Sequence, residues 1–380
     1  MLSQLPTAKK VIFLVTTLGF GGTERNLVQY CESLDRSKWN IEVWYLHQTA
    51  ENMLNRLQAS GIVAKHLDAP KKFRPGYLIR LAHKLANTKA DLIHIFLPTV
   101  GYYAIASKLL FRSKTPMLFS SGGVQFLLPL QRQMMQYGLG RYCYPIVCNS
   151  NAVAKFWREM NVDQQRVRVI PNGHDVTRFE AHLDRESFRK SLDLSDGEFA
   201  ITIVGRLIDT KRHADLLQAL SLIDVAEIPY RLLIVGDGPC LESIVQQAED
   251  LNIRERVSIL GRRDDVPTIL RCSDLFAFPS ASEGLPNAVI EAALCKLPIV
   301  ASNIEPVLEI VEHDRSARIF PVGDVKQLAK SIELAAKDVL TSKEMAEAAY
   351  ADAIQSFNLK NTISLLETAY YDAIKGYSSA

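Results

Sequence analysis

Two α/β domains, each built on a parallel sheet, are the architecture this sequence predicts. Short apolar runs alternate with helical stretches along all 380 residues, the pattern of strands buried on both faces between helices. The chain exceeds one typical domain and suits two of about 180 residues each. At mid-chain, Pro171-Asn-Gly-His-Asp175 runs into polar Thr177–Asp184. The predicted domains are therefore 1–176 and 177–359, with 360–380 left to be placed.

Strands in the first half are predicted at Val11–Thr16, Ile41–Leu46, Ile62–His66, Leu92–Phe96, Met117–Ser120, Ile146–Cys148 and Val167–Ile170. Each is too short and too apolar for a solvated helix. Helices fill Thr23–Leu34, Gly76–Asn87, Gly101–Leu110, Leu130–Tyr142 and Ala152–Met160. The second half repeats the alternation. Its strands are Ala200–Val204, Arg231–Val235, Val257–Leu260, Leu275–Phe278, Ile299–Ala301 and Ala317–Phe320. Its helices are His213–Leu222, Leu241–Leu251, Val266–Arg271, Asn287–Cys295 and Val325–Ala336, and two more, Ser342–Ser356 and Ile363–Ile374, follow.

A hydrophobic fraction of 48% is ample for two cores, yet no apolar run reaches the roughly 18 residues of a membrane span. Lys9-Lys10 before Val11–Phe20 imitates a secretory signal, but no small-x-small cleavage site follows it. The expected location is cytoplasmic. Cys31, Cys143, Cys148, Cys240, Cys272 and Cys295 form no Cys-x-x-Cys pair and read as reduced thiols, not as a disulfide frame or zinc site.

A net charge of +2 conceals a division. Residues 1–176 hold 22 Lys+Arg against 10 Asp+Glu, and the remainder 22 against 32. No acidic side chain occurs between Asp91 and Glu159, and a second basic cluster runs from Lys71 to Lys89. Such asymmetry suits an anionic partner for the first half: phospholipid headgroups, a pyrophosphate-linked acceptor or nucleic acid. Attraction between two oppositely charged halves is the bland alternative.

Glu283 and Glu291 lie eight residues apart in Ser280-Ala-Ser-Glu-Gly-Leu-Pro-Asn-Ala-Val-Ile-Glu291. The run Asp274–Pro279 before them reads as a buried strand. Gly284 and Pro286 open a helix, with Pro286 tolerated in its first turn. Eight residues of helical rise span about 12 Å, the reach from a sugar ring across a diphosphate to a ribose. First-turn amides between the two carboxylates suit a phosphate.

The segment Asp274–Ala301 resembles the E-x7-E region of family 4 glycosyltransferases, retaining enzymes of the GT-B fold. Three further stretches match in order: Gly19-Phe-Gly-Gly-Thr-Glu-Arg25, Ile170-Pro-Asn-Gly-His-Asp175 and Val204-Gly-Arg-Leu-Ile-Asp-Thr-Lys211. The resemblance implies two Rossmann-like domains facing across a cleft, with the last helix crossing back to the first domain. It assigns acceptor binding to residues 1–176 and nucleotide-sugar binding to 177–359.

Carried over residue by residue, the resemblance gives Arg206 and Lys211, beside Gly205, to the donor diphosphate. Neutralising charge on that leaving group is the main catalytic task. Glu283 holds hydroxyls of the transferred sugar, Gly284, Leu285, Pro286 and Asn287 lie along the sugar and β-phosphate, and Glu291 takes the ribose. Gly21 and Gly22 approach the donor phosphate from the first domain, while Glu24 orients the helix. Gly236-Asp-Gly238 lines the nucleotide site, although Gly-x-Gly-x-x-Leu241 also imitates part of a dinucleotide fingerprint. Gly261 and Arg262 border the base.

Two departures stand out. Lys211 is followed by Arg212 where the motif has glycine. The histidine that many relatives carry after a first-domain strand is replaced by Ser120 and Ser121, leaving His94 as a second candidate beside Ser121; a core histidine suits His94 equally. His174 reads as architectural. No Asp-x-Asp occurs, so the expectation is no metal and no cofactor beyond a nucleotide sugar, UDP-linked. The expected function is retaining transfer of a hexose or N-acetylhexosamine to a lipid-linked or polysaccharide glycan. Expected partners are that acceptor and an anionic membrane face, not nucleic acid. Leu127–Leu130 and Met134-Met135, beside Arg132 and Arg141, suit an amphipathic membrane-facing helix or a core helix. The alternative function is a non-catalytic GT-B protein that binds a nucleotide or glycan and regulates a partner.

Overall fold

The computed structural model describes residues 8–19, 21–49, 53–72, 74–123, 129–180 and 183–378. All thirteen predicted strands form, their ends within two residues of expectation. They build two sheets in two units, Met1–Gly173 with Lys360–Ala380, and His174–Leu359. The division thus falls before His174, not after Val176. Val176 and Phe179 pack on the core of the second unit, which draws the linker residues into it.

In the first unit, β1 (Lys9–Val15), β2 (Trp39–Tyr45), β3 (Val63–His66), β4 (Leu92–Phe96), β5 (Met117–Ser121), β6 (Ile146–Cys148) and β7 (Val167–Val169) run parallel in the order β3-β2-β1-β4-β5-β6-β7. Val11 to Val15 are wholly buried, as befits a central strand covered on both faces. The helices are α1 (Gly22–Ser33), α2 (Leu54–Ala59), α3 (Pro75–Ala86), α4 (Pro98–Phe111), α5 (Pro129–Met134), α6 (Gly140–Tyr142) and α7 (Asn151–Glu159).

Helix α4 starts three residues earlier than predicted. Pro98 occupies its first turn, where a missing N–H costs nothing. Leu97 before it takes φ 82 and ψ 137, a region that leucine rarely visits. The single helix expected over Leu130–Tyr142 is interrupted by a π-turn, Met135–Leu139. Gly138 and Gly140 there press against Ile105 and Val162, where an added Cβ would come within 3.0 and 2.8 Å. Met134 is exposed and Met135 buried, so the two methionines do not form one apolar face; Leu127 and Leu128 lie outside the described residues.

The second unit carries α8 (Arg185–Ser191), β8 (Phe199–Val204), α9 (His213–Ser221), β9 (Tyr230–Val235), α10 (Leu241–Asp250), β10 (Val257–Gly261), α11 (Val266–Cys272), β11 (Leu275–Phe278), α12 (Asn287–Leu294), β12 (Ile299–Ser302), α13 (Glu305–Leu308), β13 (Arg318–Phe320), α14 (Val325–Lys337) and α15 (Val339–Ser356). Its parallel sheet runs β10-β9-β8-β11-β12-β13. Side chains alternate between two cores: Leu233, Val235, Phe276 and Phe278 on one face, Leu232, Ile234, Leu275 and Ala277 on the other. That period of two fixes the register of each strand.

The last helix, α16 (Leu359–Ser378), joins the first unit. Ile363, Leu366, Tyr370 and Ala373 form its buried stripe, at the spacing of one helical face. Tyr370 and Tyr371 flank the ring of Trp39 at 5.2 and 5.0 Å. Trp39 Nε1 donates to Glu367 at 2.9 Å, and Arg168 pairs with Asp372 at 2.6 Å.

Candidate active site

The second sheet reverses its winding between β8 and β11. From β8 the chain moves outward to β9 and β10, then crosses to β11 and proceeds the other way to β12 and β13. Loops leaving two such neighbours diverge at their carboxyl ends, which is where open α/β sheets hold ligands. Lys211 belongs to the loop after β8 and Glu283 to the loop after β11. Their side chains meet across this point, Nζ to Oε1 at 2.5 Å, with 19% and 14% of each exposed.

Local bonds hold both partners. Ser280 Oγ lies 2.7 Å from Glu283 Oε1 and 3.1 Å from the Thr210 carbonyl. The Ala281 N–H donates to that same carbonyl at 2.8 Å. Ser302 Oγ donates to the Ser280 carbonyl at 2.5 Å. Thus the loop after β8 is stitched to the loop after β11, and the latter to the end of β12. Lys211 Nζ also sits 5.2 Å over the Phe278 ring, a favourable position for a partly desolvated cation. Ser280 and Thr210 are the site residues that sequence reasoning missed. Ser280 and Glu283 have the Ser-x-x-Glu spacing of a side chain folding back on its own turn, which was the available signal.

Close backbone contacts shape the rest of this edge. A Cβ on Gly236, at φ 148, would fall 1.8 Å from the Gly205 carbonyl oxygen; one on Gly238 would fall 2.4 Å from that of Leu207. The loops after β8 and β9 therefore touch backbone to backbone, which only glycine permits. Gly236 N–H donates to Gly261 O at 2.8 Å and Leu207 N–H to Asp237 O at 3.0 Å. Arg262, after β10, reaches Asp237 at 3.2 Å. Arg206 is exposed and makes no side-chain hydrogen bond or ion pair among the described residues. A cation without an acid beside a paired Lys–Glu couple is an arrangement that attracts an anion.

Arg212 takes the left-handed conformation, φ 54 and ψ 41. Where the motif has glycine, Arg212 accepts the strain and its Nε donates to Asp215 at 2.6 Å. His213, next along, is 4% exposed and neither ring nitrogen has a partner. Burial first, then the Lys211 charge, lower its pKa to about 4.

Helix α12 begins at Asn287, with Pro286 as its N-cap. Pro286 is therefore outside the helix, and the segment from Glu283 to Glu291 is not one continuous helical rise. Gly284, Leu285 and Pro286 are buried. Pro286 has no N–H, so it shapes this turn and donates nothing. Glu291, fifth in α12, is half-buried, and its charge adds to the burial that raises the Cys295 thiol pKa.

The first-unit candidates sit at the other sheet. Gly21 is overlain by Glu24, whose Oε2 would meet an added Cβ at 2.3 Å, and Glu24 Oε1 accepts from Thr17 at 3.1 Å. Gly22 opens α1. His94 is wholly buried. Its Nδ1 lies 2.7 Å from the Tyr370 hydroxyl and its Nε2 2.7 Å from Ser120 Oγ, so the ring has no nitrogen left for a ligand. Ser121 is 4% exposed. Neither residue is open in the way a sugar contact requires.

A surface cavity of about 530 Å³ lies at the opposite, amino edge of β8 and β11, lined by Arg185, Arg189 and Asp274 among others. Both arginines are committed to Asp274, at 2.6 and 3.0 Å, which marks a structural network.

Two family models cover most of the chain. A model of the family described as Glycosyltransferase Family 4 matches residues 20–178, and one described as Glycosyl transferases group 1 matches 184–352. The chain is 30% identical over 192 residues to an N-acetyl-alpha-D-glucosaminyl L-malate synthase of Bacillus anthracis, covering 50% of each protein. It is 28% identical over 221 residues to a UDP-Gal:alpha-D-GlcNAc-diphosphoundecaprenol alpha-1,3-galactosyltransferase of Escherichia coli, 57% of each. The chain thus spans about half the length of these curated relatives. The crystal structure of Anabaena HepE, in complex with UDP and glucose, superposes with a TM-score of 0.83 over 95% of this chain and 99% of that one, at 22% identity. That likeness establishes the fold as GT-B.

Proposed function

The chain belongs to family 4 of the glycosyltransferases, and on that premise we propose that it moves a hexose or N-acetylhexosamine from a UDP-sugar to a lipid-linked or polysaccharide glycan, retaining the anomeric configuration. The single observation that carries this reading is the Lys211–Glu283 pair at the point where the second sheet reverses. With a donor bound, Lys211 and Arg206 neutralise the charge that builds on the departing diphosphate. Glu283, held in place by Lys211 and Ser280, accepts hydrogen bonds from hydroxyls of the sugar. The first turn of α12 faces the β-phosphate with its positive dipole end, and Glu291 takes the ribose.

Retention follows from attack on the face the diphosphate leaves. The acceptor oxygen bonds to the anomeric carbon as the bond to diphosphate breaks, and the hydroxyl proton passes to the leaving phosphate oxygen. No protein base is required, and two cations with a helix start fill the role a metal would otherwise take. Support for an acceptor at a membrane comes from the α3–α4 region, where Ile79, Leu109 and Leu110 are exposed among Arg80, Lys84, Arg112 and Lys114. Such a surface should bind vesicles of anionic lipid at low salt and release them at high salt; salt-indifferent behaviour removes that part of the reading.

The deciding experiment follows release of the nucleoside diphosphate from a panel of UDP-, GDP- and ADP-sugars, with and without a chelator. Slow hydrolysis of a UDP-sugar is expected, unaffected by the chelator and reduced at least about 100-fold in Lys211→Ala and Glu283→Gln. Binding without turnover would instead favour a regulatory protein. Turnover that survives both substitutions defeats the proposal.

A further inference from the structure

Lys211 and Glu283 have separate duties toward a donor, yet in the structure they are spent on each other. Glu283 Oε1 takes two bonds, from Lys211 Nζ at 2.5 Å and from Ser280 Oγ at 2.7 Å. Oε2 has no hydrogen-bond partner among the described residues. The lysine is drawn in along its length. An added Cβ on Gly205 would lie 3.3 Å from Lys211 Cε and 3.6 Å from Nζ, and Nζ faces the Phe278 ring at 5.2 Å. Arg206, next to Gly205, is exposed. The edge thus holds one open cation and one already committed.

A diphosphate that recruits Lys211 must therefore draw on a cation that a carboxylate already holds. No other cation pairs with Glu283 among the described residues. Both side chains are mostly buried, and a carboxylate deprived of its partner in such a setting is costly. Ser280, a neutral donor, compensates less than an ammonium does. Ligands differ in what they give back. A sugar-diphosphate brings hydroxyls, which donate to the carboxylate as Lys211 turns to phosphate. A bare nucleoside diphosphate ends in phosphate oxygens, which bring a second anion toward Glu283 instead.

We propose that Glu283 competes with the diphosphate for Lys211, so that the site favours a nucleotide still carrying its sugar over the bare nucleoside diphosphate left after transfer. This deepens the donor-site reading above and rests on it. Once the sugar has gone, Glu283 loses the hydroxyl donors and reclaims the lysine, which loosens the spent nucleotide.

The test is calorimetric binding of UDP, and of the UDP-sugar that turns over in the experiment above, to wild type, Glu283→Gln, Lys211→Ala and the double variant. Glutamine keeps the shape of glutamate but not the charge that holds Lys211. Glu283→Gln should bind UDP at least about fivefold more tightly than wild type, with no matching gain for the UDP-sugar. A residue that merely shapes the pocket would move both ligands the same way. Lys211→Ala should weaken UDP about tenfold. In the double variant the gain should vanish, with UDP bound within about twofold of Lys211→Ala, because no lysine remains to be released.

UDP bound no more tightly by Glu283→Gln, beside an impaired Lys211→Ala, overturns the inference and leaves the donor site standing. An equal gain for both ligands does the same, since the sugar then relieves nothing. A gain that persists in the double variant also overturns it, because the carboxylate then repels phosphate directly without competing for the lysine. UDP bound by Lys211→Ala as by wild type removes the lysine from the donor site and takes the inference with it. Should Glu283→Gln fail to fold, judged by circular dichroism, Glu283→Ala decides by the same criteria.

Discussion

The two sheets have the same parallel construction, yet their carboxyl edges are chemically unlike. In the second unit the edge between β8 and β11 carries charge: Lys211 against Glu283, with Arg206 exposed beside them. In the first unit Tyr370, His94 and Ser120 form a closed, uncharged hydrogen-bonded chain among the described residues of β4, β5 and α16. The difference teaches what each edge is chemically built to present. A diphosphate needs fixed cations and glycine-thin backbone, which a sequence must spell out residue by residue. A buried hydrogen-bonded chain such as Tyr370–His94–Ser120 needs only hydroxyls and shape, which many residue combinations supply.

The largest effect should come from Gly236→Ala. Its Cβ would sit 1.8 Å from the Gly205 carbonyl oxygen, and backbone cannot yield as a side-chain tip can. Loss of about 3 kcal/mol or more is expected, with donor binding abolished, both measurable by denaturant titration and calorimetry. Gly122→Ala, in the first unit, has only ordinary contacts at 3.8 Å and should cost little. Equal losses at the two positions would break the contrast.

His94→Phe is the next largest. It leaves the buried Tyr370 hydroxyl without its partner, at about 1–3 kcal/mol of stability. The second unit should be spared, so binding of UDP by the folded protein should stay within twofold. A proportionate loss of nucleotide binding would show that the first unit's chain reaches further than its bonds suggest.

Acidification sharpens the comparison from the other side. His174 and His213 have pKa values near 4 in the fold, against about 6.5 in an unfolded chain. Between those limits the unfolded state binds more protons, so stability rises with pH. Their contribution is complete above about pH 6.5 and is lost as pH falls toward 4, roughly 2–3 kcal/mol for each. Melting temperature measured from pH 7.5 to 4.5 should fall accordingly. His213→Leu, which removes two unpartnered nitrogens, should flatten that slope; an unchanged slope would mean that His213 is not buried neutral.

The smallest effect is expected at Arg212→Gly. Glycine relieves the left-handed strain, worth about 1–2 kcal/mol, but loses the bond to Asp215. The two nearly cancel, and UDP release should remain within threefold. A tenfold fall would give the Arg212 side chain a direct role at this edge.

The central strands were legible because each is an apolar run buried on both faces, and α12 and α9 because strong motifs open them. The helices that sequence did not reveal are α2, α8 and α13. Only Leu57 is buried in α2 and nothing in α8, while α13 has four residues; none offers a periodic stripe. At the site, Lys211, Glu283 and the glycines could be named from spacing and family resemblance. Their pairing could not, since 72 residues separate Lys211 from Glu283. Nor could the enclosure of His94, whose partner Tyr370 lies 276 residues away. A side chain's type is written in sequence, whereas the neighbour that occupies its bonding capacity is set by the fold.

Placement of α16 in the first unit bears on synthesis. Trp39, Arg168 and His94 each wait for a partner from the final helix, so this unit cannot finish folding until residues beyond Lys360 leave the ribosome. At about 5–20 residues per second, making the intervening unit alone takes on the order of ten to forty seconds. Throughout that interval the groove for α16 stays open on a nascent chain, exposing aromatic surface to chaperones, while the later-made unit has every strand it needs to close first.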